Sequence, residues 1–223
     1  MFLQKDLSLQ RIDNQLQNDF IQRKIFDFKD LIQKEICADL PSAFWNRKQH
    51  LVDLSYESSF DERQIPTKTR PIQMNMDLER YYKEEIKDLE TKGLIVKSRS
   101  PWSCAAFYVN KNSEIERGTP RLVINYKPLN KALKWIRYPI PNKKDLLQKL
   151  HSAFIFSKFD MKSGFWQIQI HPKDSYKTVF TVPFGQYEWT VMPFGLKNAL
   201  SKFQRIMNEI YNPFFRILHC LYR

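Results

Sequence analysis

Apolar residues in the first part of the chain recur at the spacing of an α-helix. Between residues 9 and 36 they return every three or four positions, and no glycine occurs before Gly93. A stripe at this spacing buries one face of a helix. The pattern predicts a helical N-terminal spacer over residues 1–55, interrupted at Pro41. A stretch with several Ser, Thr and Pro residues follows and predicts a linker over residues 56–74.

A second helical pattern begins after this linker. Its apolar residues share one helix face, and they are Leu78, Tyr82, Ile86 and Leu89. The spacing predicts a helix over residues 78–92. Asp77 can cap its first turn, because an Asp side chain accepts a hydrogen bond from a free backbone N–H group there. Gly93 fits the position just past the last turn, where a left-handed backbone is common.

Short or alternating apolar runs, which are typical of strands, then replace the helical spacing. They occur at residues 104–109, 121–126, 153–159, 165–170, 177–182 and 187–192. Two pairs of these runs flank the polar segments 110–120 and 183–186, so each pair predicts a hairpin. Helical spacing returns at residues 141–152 and 197–211. Strands and helices are therefore grouped rather than strictly alternating, which indicates an α+β fold.

Composition removes several classes of protein. The chain has 223 residues, of which 43% are hydrophobic and 27% charged, so it carries enough apolar material for a core. The 5 glycines and 12 prolines do not fit a collagen-like chain. The sequence has no apolar run of membrane-spanning length and no signal-peptide pattern at its start. Three widely spaced cysteines suggest neither a disulfide framework nor a zinc site. We expect a cytoplasmic or nuclear protein with no membrane partner.

The charge is strongly positive and unevenly placed. The formal net charge is +12, yet residues 1–60 carry a net charge of −1. Residues 91–160 hold 14 basic and 4 acidic residues, a net charge of +10. A one-sided field of this size favours a polyanion such as nucleic acid as the partner. A basic surface that only contacts solvent is the alternative.

One carboxylate stands out as candidate chemistry. Asp160 ends the apolar run at residues 153–159 and precedes a turn that contains Gly164. A carboxylate at the end of a buried strand can hold Mg²⁺, which prefers hard oxygen ligands together with substrate phosphates. Two such ions can stabilise the attacking and leaving oxygens of a phosphoryl transfer. Taken alone, however, an Asp at this position is better explained as a turn residue.

The sequence around Asp160 resembles motif A of reverse transcriptases from retroelements. The run FSKFDMKSGFWQI carries the resemblance, and four further blocks fit the same family in the same order. They are KGLIVKSRSPWSCAAFYVNK (92–111), RLVINYKPLN (121–130), YPIPNKKDLLQKL (138–150) and GQYEWTVMPFGLKNALSKFQ (185–204). The sequences of these blocks are most similar to those of the plant pararetroviruses of the caulimovirus type. The upstream FDERQIPTKTRPIQMN (60–75) fits the lead-in segment of that group, so the resemblance covers residues 60–211. Because five blocks occur in order, chance is an improbable explanation.

The resemblance implies a right-hand polymerase fold and an RNA- and DNA-directed DNA polymerase. Residues 75–150 would form the fingers, and residues 151–216 the first half of the palm. Asp160 would be the first catalytic carboxylate and would hold both Mg²⁺ ions. The implied partners are an RNA or DNA template-primer and a deoxynucleoside triphosphate.

The resemblance also assigns residues to the nucleotide. Phe165 matches the steric gate that excludes a ribose 2′-hydroxyl group, although an ordinary core aromatic is the alternative. Arg121 matches the arginine of the fingers that binds the triphosphate, and Lys111 matches its neighbouring lysine. Phe194 takes the position that packs beside the incoming nucleotide. Gln204 and Trp102 are expected to be structural.

Several basic residues would face the phosphate backbone of the template-primer. They are Lys127, Lys131, Lys134, Arg137, Lys143 and Lys144. Contacts of this kind give affinity that depends on salt and not on base sequence. For any single lysine in this set, a solvated helix face is an equally good interpretation.

The sequence departs from the family at the second catalytic motif. A Tyr-x-Asp-Asp segment should follow the helix at 197–211, and the sequence holds none. Codons can be chosen for residues 217–223 so that a one-base shift of the reading frame gives Phe-Cys-Ile-Val-Tyr-Ile and an acidic residue. The Tyr-x-Asp-Asp strand of the family begins in this way. Leu200 stands where the family usually has proline, and the codons for the two amino acids can differ by one base. We hypothesise that residues 217–223 are a frameshifted tail in a decayed endogenous viral copy in a plant genome.

Three functions stay open at this stage. The first is a polymerase fragment that is inactive alone, because the chemistry needs Asp160 and two further carboxylates. The second is a basic module that binds nucleic acid without catalysis. The third is a functionless viral relic that does not fold, because the Trp166 and Ile168 strand would lack its neighbouring hairpin.

Overall fold

The structure is a computed structural model. It describes residues 10–36, 50–66, 69–72, 76–109, 121–139, 161 and 163–211, with the single positions 142, 144, 148 and 213. The predicted strand at 153–159, the hairpin tip at 110–120, most of the predicted helix at 141–152 and the tail at 217–223 lie outside the described residues. So do the site candidates Lys111, Lys143 and Asp160.

The chain forms two compact units, residues 1–43 and 44–223. In the first unit, residues 10–16 are helical, and helix α1 spans Asp19–Leu31 with a π-helical turn, Ile32–Ile36, after it. Asn18 separates the two helical runs, because its side chain accepts a hydrogen bond from the N–H group of Phe20 at 3.0 Å and caps α1. The predicted helical stripe is therefore two helices rather than one.

The second unit starts earlier than the predicted end of the N-terminal spacer. Strand β1, Leu51–Val52, pairs in parallel with strand β5, Gln169–Ile170. Tyr56 forms a further bridge with Leu133. Residues 50–56, assigned to the spacer and linker from the sequence, thus belong to the second unit, and Val52 and Leu54 are buried in its core.

Helix α2 spans Met76–Thr91, two residues ahead of the predicted start at residue 78. Its C-terminus follows the prediction. Gly93 has φ +69°, and its N–H group donates to Glu90 while the N–H group of Leu94 donates to Leu89, each at 3.0 Å. This pair of bonds satisfies two terminal carbonyl groups of the helix.

A five-stranded sheet forms the centre of the second unit, with strand order β2-β7-β6-β3-β4. Its strands are β2 Ile95–Lys97, β3 Cys104–Val109, β4 Arg121–Ile124, β6 Phe180–Val182 and β7 Gly185–Trp189. Neighbours are antiparallel except β3 and β6, which run parallel. Both predicted hairpins are confirmed. In the second hairpin Val182 pairs with Gly185, so Pro183 and Phe184 alone form the turn.

The predicted strand at residues 165–170 is wrong for most of its length. Residues Gly164–Gln167 form a 3₁₀ turn, and only Gln169–Ile170 are extended. Ser163, with φ +52°, sends the backbone through the left-handed region immediately before the turn. The alternating Ile168 and Ile170 side chains are buried as expected.

The described residues of the second unit include three further α-helices, namely α3 Lys127–Ala132, α4 Pro172–Ser175 and α5 Ala199–Tyr211. Helix α5 confirms the helical spacing at residues 197–211. Trp102 and Gln204 are fully buried, in line with the structural roles expected for them. Among the residues that the structure describes, no helix is long and apolar enough to cross a bilayer.

Candidate functional site

Arg121 and Phe194, predicted from separate sequence blocks, lie against each other. Arg121 is the first residue of β4, opposite Val109 of β3, and its side chain is exposed. Its Cζ atom is 5.4 Å from the centroid of the Phe194 ring. A guanidinium group at this distance from an aromatic ring is attracted by the ring face.

The loop that carries Phe194 is held from below by α3 and Tyr126. Gly195 has φ +92°, and a side chain there would approach Cδ2 of Tyr126 to 3.6 Å. Asn130 fixes both sides of the loop, because its Nδ2 donates to the Gly195 carbonyl at 2.9 Å and its Oδ1 accepts from the Lys197 N–H group at 2.8 Å. The position of the Phe194 ring is therefore set by tertiary contacts.

Tyr126 itself is part of the rigid base of this loop. Its ring is buried, and its hydroxyl group donates to the Thr178 carbonyl at 2.8 Å. Burial raises the pKa of Tyr126 well above its usual value. The hydroxyl group thus stays a hydrogen-bond donor over the whole working pH range.

Phe165 continues the same row of side chains on the inner side. Its ring centroid is 5.1 Å from that of Phe194 and 5.3 Å from that of Phe203, with edge-to-face angles of 65° and 88°. Phe165 is only 6% exposed, whereas Phe194 is 43% exposed. The preceding Gly164 leaves room for the Phe203 ring, which a side chain there would meet at 3.1 Å.

The structure thus brings together three of the five residues predicted at the nucleotide or metal. Arg121, Phe194 and Phe165 form a continuous row that runs from an exposed cation to a nearly buried ring. Such a row can bind an anionic group at one end and pack a flat or apolar group beside it. Lys111 and Asp160 lie outside the described residues.

A basic segment follows β4. Lys127, Lys131, Lys134 and Arg137 are all exposed, as is Lys144 further along. Within the described residues, none of the first four has an acidic side chain within 4.0 Å. These exposed side chains can contact an anionic partner.

Among the described residues, no three His, Cys, Asp or Glu side chains lie close enough to share an ion. The one metal ligand predicted from the sequence, Asp160, is not among them.

Sequence reasoning missed the residues that hold this site in place. Asn130 supports the loop of Phe194 although it lies 65 residues from Gly195 in the sequence. Phe203 supports Phe165 from helix α5. No local pattern marks Asn130, because the residues around it do not show that its side chain binds a loop distant in sequence. Phe203 lies on the apolar face of α5, which indicates burial and not a partner.

The part of the chain that holds these residues matches a known protein family. Residues 109–223, more than half of the chain, match the family model described as reverse transcriptase (RNA-dependent DNA polymerase). The chain belongs to the reverse transcriptase family.

Its relatives include polyproteins of plant pararetroviruses. The chain is 43% identical over 193 residues to the genome polyprotein of Petunia vein clearing virus (isolate Shepherd), covering 83% of this chain and 9% of that protein. It is 39% identical over 202 residues to the enzymatic polyprotein of Cauliflower mosaic virus (strain Strasbourg), covering 90% of this chain and 29% of that protein. The chain therefore spans a minor part of each relative, and the resemblance to the caulimovirus type is confirmed.

Solved structures share the fold. The foamy viral protease-reverse transcriptase in complex with RNA/DNA hybrid has a TM-score of 0.54 at 23% identity, over 67% of this chain and 20% of that one. A form of the same protein in complex with double-stranded DNA has a TM-score of 0.58 at 19% identity, over 92% of this chain and 34% of that one. The predicted mixture of helices and sheet is thus a reverse transcriptase fold.

Proposed function

We propose that this chain is the part of an RNA- and DNA-directed DNA polymerase that binds the incoming nucleotide and the template-primer. Residues 75–150 would be its fingers and residues 151–216 the first half of its palm. The row formed by Arg121, Phe194 and Phe165 carries the proposal, because three separate sequence blocks of the family meet there. The foamy viral relatives of this fold were solved with RNA/DNA hybrid and with DNA, which supports the same class of partner.

Each side chain of the row has a task that its chemistry fits. The exposed Arg121 would bind the triphosphate, since a guanidinium group can donate two parallel hydrogen bonds to phosphate oxygens. Phe194, which is partly exposed, would pack beside the nucleotide. Phe165 would lie below the sugar and favour deoxynucleotides by excluding a 2′-hydroxyl group. Lys111 would add a second positive charge near the phosphates.

The test of nucleotide binding compares two arginines. Titration of residues 1–223 with dATP and Mg²⁺ is expected to give saturable binding that Arg121→Gln weakens about tenfold or more, as for the loss of a charged hydrogen-bonding partner. Arg99→Gln is the matched control, because Arg99 is also exposed in the second unit and lies outside the row. Equal affinities of both variants and the unchanged chain would contradict the proposal.

We further propose that the chain alone does not extend a primer. Mg²⁺ bound by Asp160 would neutralise charge on the reacting phosphates. The family site also uses the carboxylates of Tyr-x-Asp-Asp, and this sequence has no such segment. A primer extension assay with residues 1–223 should therefore give no product. Nucleotide incorporation that disappears in Asp160→Asn would overturn this expectation.

A second candidate is a module that binds nucleic acid without a nucleotide site. The observation that favours it is the basic segment Lys127–Arg137, whose exposed Lys and Arg side chains form no ion pair among the described residues. This candidate predicts duplex binding that weakens with salt but no saturable binding of dATP. The dATP titration therefore separates the two functions.

A further inference from the structure

Trp135 is exposed in the middle of the basic segment. Its side chain is 59% exposed, whereas the other described tryptophans, Trp102, Trp166 and Trp189, are buried or half-buried in the core. An exposed indole costs free energy in water, because about 25 cal/mol is lost per Å² of apolar surface left uncovered. Trp135 belongs neither to the buried core nor to the row formed by Arg121, Phe194 and Phe165.

The backbone around Trp135 is held rigidly. Asn198 binds both sides of the residue, because its Nδ2 donates to the Lys134 carbonyl at 2.7 Å and its Oδ1 accepts from the Ile136 N–H group at 3.0 Å. The Trp135 N–H group itself donates to Oε1 of Glu57 at 3.2 Å. Asn198 is buried, so this anchor belongs to the core of the unit.

The indole also has a fixed neighbour on its face. The Cζ atom of Arg137 lies 4.7 Å from the centroid of the Trp135 ring. A guanidinium group stacked at this distance restricts the ring and adds a positive charge beside it. Trp135 is thus a preorganised aromatic surface with a cation on one side, flanked by the exposed Lys134.

We propose that Trp135 is a stacking platform for an unpaired base of the nucleic-acid strand that the basic segment binds. Every nucleobase has a π face, so stacking on an indole is tolerant of sequence, and the flanking cations would hold the adjacent phosphates. A protein partner with an apolar surface fits less well, because it would cover Lys131, Lys134 and Arg137 without pairing their charges. The inference rests on the proposed nucleic-acid binding and adds a residue that distinguishes an unpaired strand from a duplex.

The experiment measures binding of residues 1–223 to two labelled DNA probes by fluorescence anisotropy at low salt. One probe is a blunt duplex, and the other is the same duplex with a single-stranded 5′ overhang. Trp135→Ala should weaken binding of the overhang probe about 5- to 150-fold and leave the blunt duplex unchanged. Trp135→Phe should retain most of the affinity, because a phenyl ring still stacks.

A matched control removes an exposed aromatic side chain elsewhere. Phe26→Ala, in helix α1 of the first unit, should change neither affinity. The thermal melting of Trp135→Ala should match that of the unchanged chain, since the ring is largely exposed. Equal loss on both probes, or no loss on either, would overturn the stacking proposal alone. An unchanged chain that binds neither probe would overturn the proposed function as well.

Discussion

Glu85 is a carboxylate whose protonation depends on the fold. It lies on the inner part of helix α2 and accepts a hydrogen bond from the Tyr108 hydroxyl group. Burial, together with the nearby charge of Asp88, raises the pKa of Glu85 to about 7. Because the folded chain holds this proton more tightly than the unfolded chain, its stabilising contribution is complete below about pH 4.5. That contribution is lost as the pH rises through 7.

Glu85→Gln should therefore stabilise the protein only at high pH. The amide keeps the hydrogen bond from Tyr108 and removes the buried charge, so we expect a gain of about 1 to 3 kcal/mol in the free energy of unfolding at pH 8.5. At pH 4.5 the gain should vanish. Urea unfolding at the two pH values measures both, with Glu84→Gln, an exposed neighbour, as the control. A gain of the same size at both pH values would show that the charge is not its cause.

At the scale of elements, a buried ion pair joins the segment at residues 51–56 to helix α4. Lys177 Nζ lies 2.6 Å from Oδ1 of Asp174, and both side chains are buried. Both ends also bind Leu54, whose N–H group donates to Asp174 at 2.8 Å and whose carbonyl accepts from Lys177 at 2.7 Å. The Tyr56 ring covers Lys177 at 4.0 Å. These contacts explain why β1 packs with the second unit.

Asp174→Ala should be among the most destabilising single changes in the chain. It leaves the Lys177 ammonium group buried without its counter-ion and the Leu54 N–H group without an acceptor, and the loss is expected at about 3 to 5 kcal/mol. The exposed pair Lys173–Asp53, at 3.1 Å, is the matched control, and Lys173→Ala should cost about 0.5 kcal/mol or less. Equilibrium urea unfolding compares the two variants. Similar losses of unfolding free energy in both variants would mean that burial of the ion pair does not determine its contribution to stability.

The same elements mark what the sequence could predict. The hairpins at 104–126 and 180–189 were predicted because alternation, turn residues and strand length all lie within a short window. Strand β1 was missed because two residues give no periodic signal, and its partner, Gln169–Ile170, is more than a hundred residues away. The turn at Gly164 was predicted, but its continuation through Gln167 was predicted as a strand, because alternation cannot report the left-handed backbone of Ser163.

The candidate site divides in the same way. Family blocks predicted Arg121, Phe165 and Phe194, and the structure brings these three together. Their supports could not be predicted, because Asn130 acts through hydrogen bonds to a loop distant in sequence. The aromatic surface at Trp135 likewise depends on an anchor, Asn198, that belongs to another element.

At the scale of the whole chain, positive charge is concentrated away from the first unit. Residues 1–60 carry a net charge of −1, and residues 91–160 a net charge of +10. Each lysine that neutralises a phosphate releases a counter-ion, so affinity for duplex DNA falls with salt in proportion to the number of contacts. The salt dependence of binding therefore measures how many of the exposed cations contact phosphates.

Lys127→Gln combined with Lys131→Gln should reduce that salt dependence. If both side chains contact phosphates, the slope of log K against log salt should fall in magnitude by about 2, and affinity should weaken to a similar extent for every base sequence. The control pair is Lys24→Gln and Lys29→Gln, which removes the same charge from helix α1. Anisotropy titrations from low to moderate salt give both slopes. An equal fall for the two pairs would mean that DNA responds to net charge alone, and the segment at 127–137 would then be an ordinary solvated surface.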